Sequence, residues 1–256
     1  MTLSINSSGH GPDIVLIHGW AMHSGIFAPL SERLASRFRV HLVDLPGHGA
    51  SRDYAHGDLD PRRLAQRIVS ATPPALWLGW SLGGLCALRG ALDHPQHVRG
   101  VIEIASSPRF VSDEGWTSAV EPEVFREFGR GLEQNFHLAI ERFLALETLG
   151  SPNAQEQLRA LRNEVFARGE PAREALYEGL DILDACDLRA ALAGISRPSL
   201  WIAGRRDRLV PSAAMQWAAQ QAKGQFVELS AGHAPFISHP AEVAEAIEAF
   251  SETVAT

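Results

Sequence analysis

The run Ala75-Leu76-Trp77-Leu78-Gly79-Trp80-Ser81-Leu82-Gly83 joins an apolar segment to a G-x-S-x-G pattern, and the residues after it, Leu82 to His94, are helix-compatible and stop at Pro95. A serine between a strand and a helix sits on a sharp turn that pushes its hydroxyl out of the backbone. The glycines let neighbouring segments approach closely. The first N–H groups of the following helix then face any negative charge that forms nearby. The pattern alone arises by chance in roughly one chain in ten of this length. Its weight therefore comes from context: a strand before, a helix after, then an acid and a histidine in that chain order.

Outward from this turn, strand-like runs alternate with helix-like runs, the pattern of a parallel sheet with crossover helices. Ile14–Ile17 ends at His18-Gly19-Trp20, and Val40–Val43 ends at Asp44-Leu45-Pro46-Gly47-His48-Gly49. Val101–Ala105 ends at Ser106-Ser107-Pro108, Leu200–Ala203 at Gly204-Arg205-Arg206-Asp207, and Phe226–Leu229 at Ser230-Ala231-Gly232-His233. The residues with chemistry thus fall just past strand ends, the edge where open α/β sheets bind ligands. From Phe110 to Leu192 the alternation stops. Helix formers dominate there, and apolar residues recur at helical spacing (Phe136, Ile140, Phe143, Leu144; Leu158, Leu161, Val165). The expected organisation is a core of residues 1–109 and 193–256 around a mostly parallel sheet flanked by helices. Residues 110–192 form an inserted helical cap over the same edge.

The 256 residues are 45% hydrophobic and 21% charged, which suits one large α/β domain or a domain with an insertion. The net charge of −7 argues against broad nucleic-acid binding. Eleven histidines are scattered without metal-ligand spacing, so most are read as surface or loop residues and no metal or cofactor is expected. Two distant cysteines, Cys86 and Cys186, suggest a reducing compartment, with Cys86 a core residue. Residues Met1 to Gly11 lack the apolar heart of a signal peptide. No apolar stretch approaches the roughly 20 residues that cross a bilayer. A soluble, cytoplasmic protein with no membrane partner is expected.

A serine hydroxyl is a weak nucleophile at neutral pH and needs a base, and the base needs a third group to fix its tautomer. His233, in a loop after the last strand, is the candidate base. Asp207, at the end of the preceding strand, is the candidate acid; Asp184 and Asp187 compete but lie in the insertion. Attack on a carbonyl creates an oxyanion that needs preorganised N–H donors. The backbone N–H of Leu82 is one, and that of Trp20 is expected to be the second, with its indole walling an acyl pocket. Asp44 and His48 also lie at a strand end, where glycine and proline turn chemistry accounts for them.

Together, His18-Gly19-Trp20, Asp44 to Ser51, Gly79 to Gly83, the Gly204–Asp207 turn and Gly232-His233 make the chain resemble the α/β-hydrolase superfamily over essentially its whole length. Longer strings, among them Trp77 to Leu85, Glu141 to Leu146 and His233 to Pro240, are similar to the biotin-pathway esterases that act on pimeloyl-[acyl-carrier protein] methyl ester. That resemblance implies cleavage to methanol and a free carboxylate, with an acyl-carrier protein as partner; triad chemistry that uses only water implies no cofactor, and a monomer is expected. The resemblance implies substrate contacts at Trp20, Ser81, Leu82, His233 and the run Phe143-Leu144-Ala145-Leu146-Glu147. The family's usual residue at the last position is Gln, and a charged Glu147 would repel the product carboxylate. Carrier-docking arginines are implied at Arg142 and Arg159. Leu138 and Gln155 stand where further arginines belong, and Arg162, one turn from Arg159, compensates. Alternatives of the same fold are a broad short-chain esterase for small esters or a C–C bond serine hydrolase. A non-enzymatic ligand sensor is a third.

Overall fold

A computed structural model describes residues 3–151 and 153–254; Met1, Thr2, Pro152, Ala255 and Thr256, which belong to the expected core and cap ranges, lie outside it. The first element corrects the sequence reading. The polar run before Ile14, to which the sequence reading assigned no strand, contains β1 (Ile5–Gly9), a strand that pairs antiparallel with β3 at the sheet edge and is mostly exposed. An edge strand in water needs no apolar alternation, so no period marked it.

The six expected runs are all strands: β2 (Asp13–Ile17), β3 (Arg39–Val43), β4 (Ala75–Trp80), β5 (Val98–Ile104), β6 (Ser199–Gly204) and β7 (Gln225–Leu229). They form one seven-stranded sheet in the order β1-β3-β2-β4-β5-β6-β7, parallel except for β1. β4 and β6 are buried along their whole length, as central strands covered on both faces must be. Between strands run α1 (Ala28–Leu34), α2 (Pro61–Ala71) and α3 (Leu82–Asp93). The Asp60 carboxylate caps α2 by accepting the Arg62 and Arg63 N–H groups, and Pro61 needs no partner at the first position.

Among the described residues, four α-helices and a short 3-10 helix (Arg189–Gly194) lie between β5 and β6, the α-helices being α4 (Glu123–Gln134), α5 (Phe136–Thr148), α6 (Ala154–Val165) and α7 (Arg173–Ala185). They are tied to loops that follow strands. The Trp20 indole donates to the Leu176 carbonyl (2.9 Å), and Ala172 N–H donates to the Gly47 carbonyl (2.8 Å). His23 Nε2 lies 2.8 Å from the Glu164 carbonyl oxygen, and His233 N–H reaches the Glu147 carbonyl at 3.2 Å. Where the excursion leaves and rejoins the core, Leu188 N–H donates to the Pro108 carbonyl (2.8 Å). The chain ends with α8 (Ser212–Gln221), α9 (Pro235–Ser238) and α10 (Pro240–Thr253).

Candidate active site

Ser81 is the residue between β4 and α3, with φ 54° and ψ −121°. A non-glycine side chain held at positive φ is strained, and such strain collects at functional turns. The turn is packed too tightly for side chains beside it. A Cβ on Gly79 would collide with Gly84 Cα, and one on Gly83 would collide with the Ile17 carbonyl. Ser81 N–H donates to the Ile104 carbonyl (3.1 Å), while its own carbonyl accepts from Gly84 N–H and the Ser106 hydroxyl, both at 2.9 Å. Leu82 begins α3, where a helix leaves N–H groups without an intrahelical acceptor.

His233 Nδ1 and Asp207 Oδ2 are 2.8 Å apart, and both side chains are buried. The other Asp207 oxygen accepts the N–H groups of Leu209 (2.8 Å) and Val210 (3.0 Å), which fixes the carboxylate. Burial alone would lower the pKa of His233, but the charge and hydrogen bond of Asp207 outweigh it and the net shift is upward. The His233 carbonyl accepts from the Trp80 indole (2.9 Å), so the histidine loop is held by the residue just before Ser81. His233 Nε2 is buried and has no hydrogen-bond partner among the described residues. The structure thus joins His233 to Asp207 and leaves the second nitrogen unengaged, with no Ser81–His233 hydrogen bond formed; such bonds commonly tighten only around substrate. Of the competing acids, Asp187 pairs with Arg189, and Asp184 offers its backbone carbonyl to Arg109; the acid bonded to His233 is Asp207.

Trp20 follows β2 and is buried. With its indole N–H spent on α7, its ring packs edge-on against Phe143, with centroids 4.5 Å apart, and Phe143 packs on Phe128. A Cβ on Gly179 of α7 would lie 2.7 Å from Trp20 Cδ1 and 3.4 Å from Leu82 Cδ2, so Trp20, Leu82 and α7 meet at one point. The run 143–147 does not act as one lining. It is helical, so consecutive side chains turn by about 100° each. Phe143, Leu144 and Glu147 are buried, and Ala145 is exposed. Half-buried Leu146 lines a cleft of about 250 Å³ with Val124, Phe128 and Arg142.

Burial pushes the Glu147 carboxyl up to about 8, with the Asp207 charge adding to the shift and His233 opposing it. Burial thus favours the neutral form of Glu147 near neutral pH, which works against the expected repulsion of a carboxylate. Arg142, Arg159 and Arg162 are all exposed. Arg162 pairs with Glu141 at 3.6 Å; Arg142 and Arg159 make no ion pair among the described residues.

Turn chemistry understated Asp44. Its buried carboxylate accepts the N–H groups of Ser24 and Ala50, each at 2.8 Å, and His18 beside it accepts Leu45 N–H at 2.9 Å. Burial holds His18 near 3 and His48 near 4, so both are neutral packing groups rather than the surface residues expected of loop histidines. A strand-end acid flanked by small turn residues was the available signal. Among the described residues no cluster of three ligating side chains could hold a metal, and no helix is long and apolar enough to cross a membrane.

The alpha/beta hydrolase family model matches residues 14–246. A pimeloyl-[acyl-carrier protein] methyl ester esterase of Xanthomonas oryzae pv. oryzae is 53% identical over 254 residues, which is 98% of this chain and all of the relative. One from Stenotrophomonas maltophilia is 54% identical over 253 residues, covering 97% and 96%. Among solved structures, an esterase from Exiguobacterium antarcticum superposes with a TM-score of 0.87 at 20% identity, covering 98% of this chain and 95% of that one. The enol-lactonase of Burkholderia xenovorans LB400 does so at 0.83 and 23%, covering 98% and 96%. These two likenesses speak to the fold alone.

Proposed function

The chain belongs to the alpha/beta hydrolase family, and from that membership we propose that it is a serine carboxylesterase that cleaves the methyl ester of pimeloyl-[acyl-carrier protein]. The reaction releases methanol and leaves the pimeloyl chain on its carrier, a step of biotin synthesis. The observation that carries the chemistry is the His233 imidazole, pinned through Nδ1 by Asp207 with Nε2 unspent. The substrate rests on 53–54% identity, over nearly the whole of both chains, to relatives of that name.

Ser81 Oγ attacks the ester carbonyl while His233 Nε2 takes its proton, and Asp207 stabilises the imidazolium through Nδ1–H. The oxyanion is received by the backbone N–H groups of Leu82 and Trp20. His233 then returns the proton to the departing methoxide, and methanol leaves an acyl-enzyme. Water attacks that ester with His233 again as base, and Ser81 is freed. Residues 110–192 serve as the cap and 1–109 with 193–256 as the core. Phe143 and Leu146 are read as acyl walls, and Arg142, Arg159 and Arg162 as the carrier-facing rim.

The test is a rate comparison on dicarboxylate monomethyl thioesters, each free and carrier-bound. Preference for the seven-carbon carrier-bound ester supports the reading. Equal turnover of short free esters would reduce it to a general carboxylesterase.

A further inference from the structure

Glu103 is a wholly buried acid in mid-sheet that the chemistry above does not use. It lies on β5, paired with Gly79 on β4 and Trp201 on β6. Among the described residues neither of its oxygens completes a full hydrogen bond in the resting geometry, although the Ser106 hydroxyl lies close enough to act on it. Among the described residues no cation acts on it; the group that does is the Ser106 hydroxyl, and Glu103 in turn acts on the buried Cys86 thiol of α3. A carboxylate does not persist in such a place without a cation or donors, so the group is a neutral acid with one proton to donate. Burial drives it well above the usual carboxylate range, with Ser106 opposing.

Its position gives that proton a use. A Cβ on Gly84 would collide with both Glu103 Oε2 and Ser106 Oγ and would stand 2.5 Å from Ser106 Cβ. The acid, the hydroxyl and the bare Gly84 backbone are therefore packed into one contact behind Ser81. Ser106 Oγ in turn donates to the Ser81 carbonyl (2.9 Å). That carbonyl and the Leu82 N–H belong to a single planar peptide unit. A donor that holds the carbonyl orients the N–H on the other side, and hydrogen bonds in series polarise one another.

We propose that Glu103 and Ser106 form a positioning pair: the acid donates to Ser106 Oγ, Ser106 donates to the Ser81 carbonyl, and the Ser81–Leu82 peptide is thereby fixed with its N–H facing the oxyanion. This rests on the reading above of Leu82 as an oxyanion donor. Neither residue touches substrate; both act through the peptide.

The experiment compares wild type with Ser106→Ala, Glu103→Leu and Glu103→Gln. It measures kcat and KM on a methyl ester, the second-order rate of Ser81 labelling by a fluorophosphonate, and Tm. Ser106→Ala and Glu103→Leu are expected to lower kcat about 10- to 100-fold, below the full loss of an oxyanion donor, with KM within about twofold. Labelling should slow by a similar factor. Glu103→Gln keeps a neutral donor of the same shape and should stay within about threefold of wild type. Wild-type kcat and labelling in folded Ser106→Ala overturns the proposal. So does Glu103→Gln as impaired as Glu103→Leu. If Glu103→Leu does not fold, Ser106→Ala decides. If wild type hydrolyses no methyl ester yet is labelled, the functional reading fails while the labelling rates still judge the pair. A wild type that is not labelled overturns both.

Discussion

At the scale of single residues, the reading turns on Ser81, His233 and Asp207. Ser81→Ala and His233→Ala should each lower kcat by roughly 10⁴–10⁶ without unfolding the chain, and the double variant should lose little more. Wild-type-like turnover by folded Ser81→Ala would end the mechanism. His233 must be neutral to accept a proton, and Asp207 holds its pKa above the ordinary 6.5. The acid limb of kcat/KM should therefore fall as pH drops through a value above 6.5. Asp207→Asn removes the anion, so the limb should move to lower pH while the rate falls by up to about 10⁴. Glu147 offers a test on stability. Its unfolded carboxyl ionises near 4.5 and its folded one near 8. Between those values the unfolded state has released a proton that the folded state keeps, so stability falls as pH rises, by at most about 1.4 kcal/mol per unit. Glu147→Gln abolishes this. Its Tm advantage should grow from pH 4.5 to 8 and then level off, at about 2–4 °C per kcal/mol; a constant difference would contradict the buried neutral acid. The three candidate residues stood out because each lies just past a strand end, with Gly79 and Gly83 around Ser81, Gly204 before Asp207 and Gly232 before His233. Glu103 and Glu147 were not, because their meaning lies in burial among residues distant in sequence, and a lone acid in a strand or helix carries no local mark of that.

At the scale of elements, apolar runs predicted six strands, and the one missed, β1, is polar because it lies at the sheet's wet edge. The helical stretch between β5 and β6 was legible from its period, but its faces were not, since a contiguous motif says nothing of rotation about the axis. Ala145 turns outward for that reason, while Phe143 meets Trp20. On the proposed reading of Phe143 as an acyl wall, its truncation should be felt in acyl length. Burying a methylene is worth about 0.8 kcal/mol, close to fourfold per carbon. Phe143→Ala should therefore penalise pimeloyl-length methyl esters more than acetyl or propionyl esters in kcat/KM. An equal loss at every length would mark a packing defect instead.

At the scale of the whole molecule, the chain is net negative, −7, and so are acyl-carrier proteins, so overall charge cannot draw them together. Attraction has to be local; of the cap arginines without an ion pair among the described residues, Arg173 lies over the Phe136 ring, and Arg142 and Arg159 remain as exposed charges. Rim charges act mainly on encounter and are screened beyond about 8 Å at physiological salt. Charge reversal at both should raise KM for a carrier-bound methyl ester and spare a small free ester, and added salt should mimic the change for the carrier-bound substrate only. If both substrates respond alike, the arginines are structural; if neither does, this surface is not a docking site; in either case the carrier-specific reading falls back to a general carboxylesterase. The neck closed by Leu188 N–H and the Pro108 carbonyl bears on how the cap could be exchanged. An exchange of everything between those two residues would replace the cap helices and leave all seven strands in place, while the contacts that Trp20 and His233 make to the cap would have to be rebuilt by the newcomer.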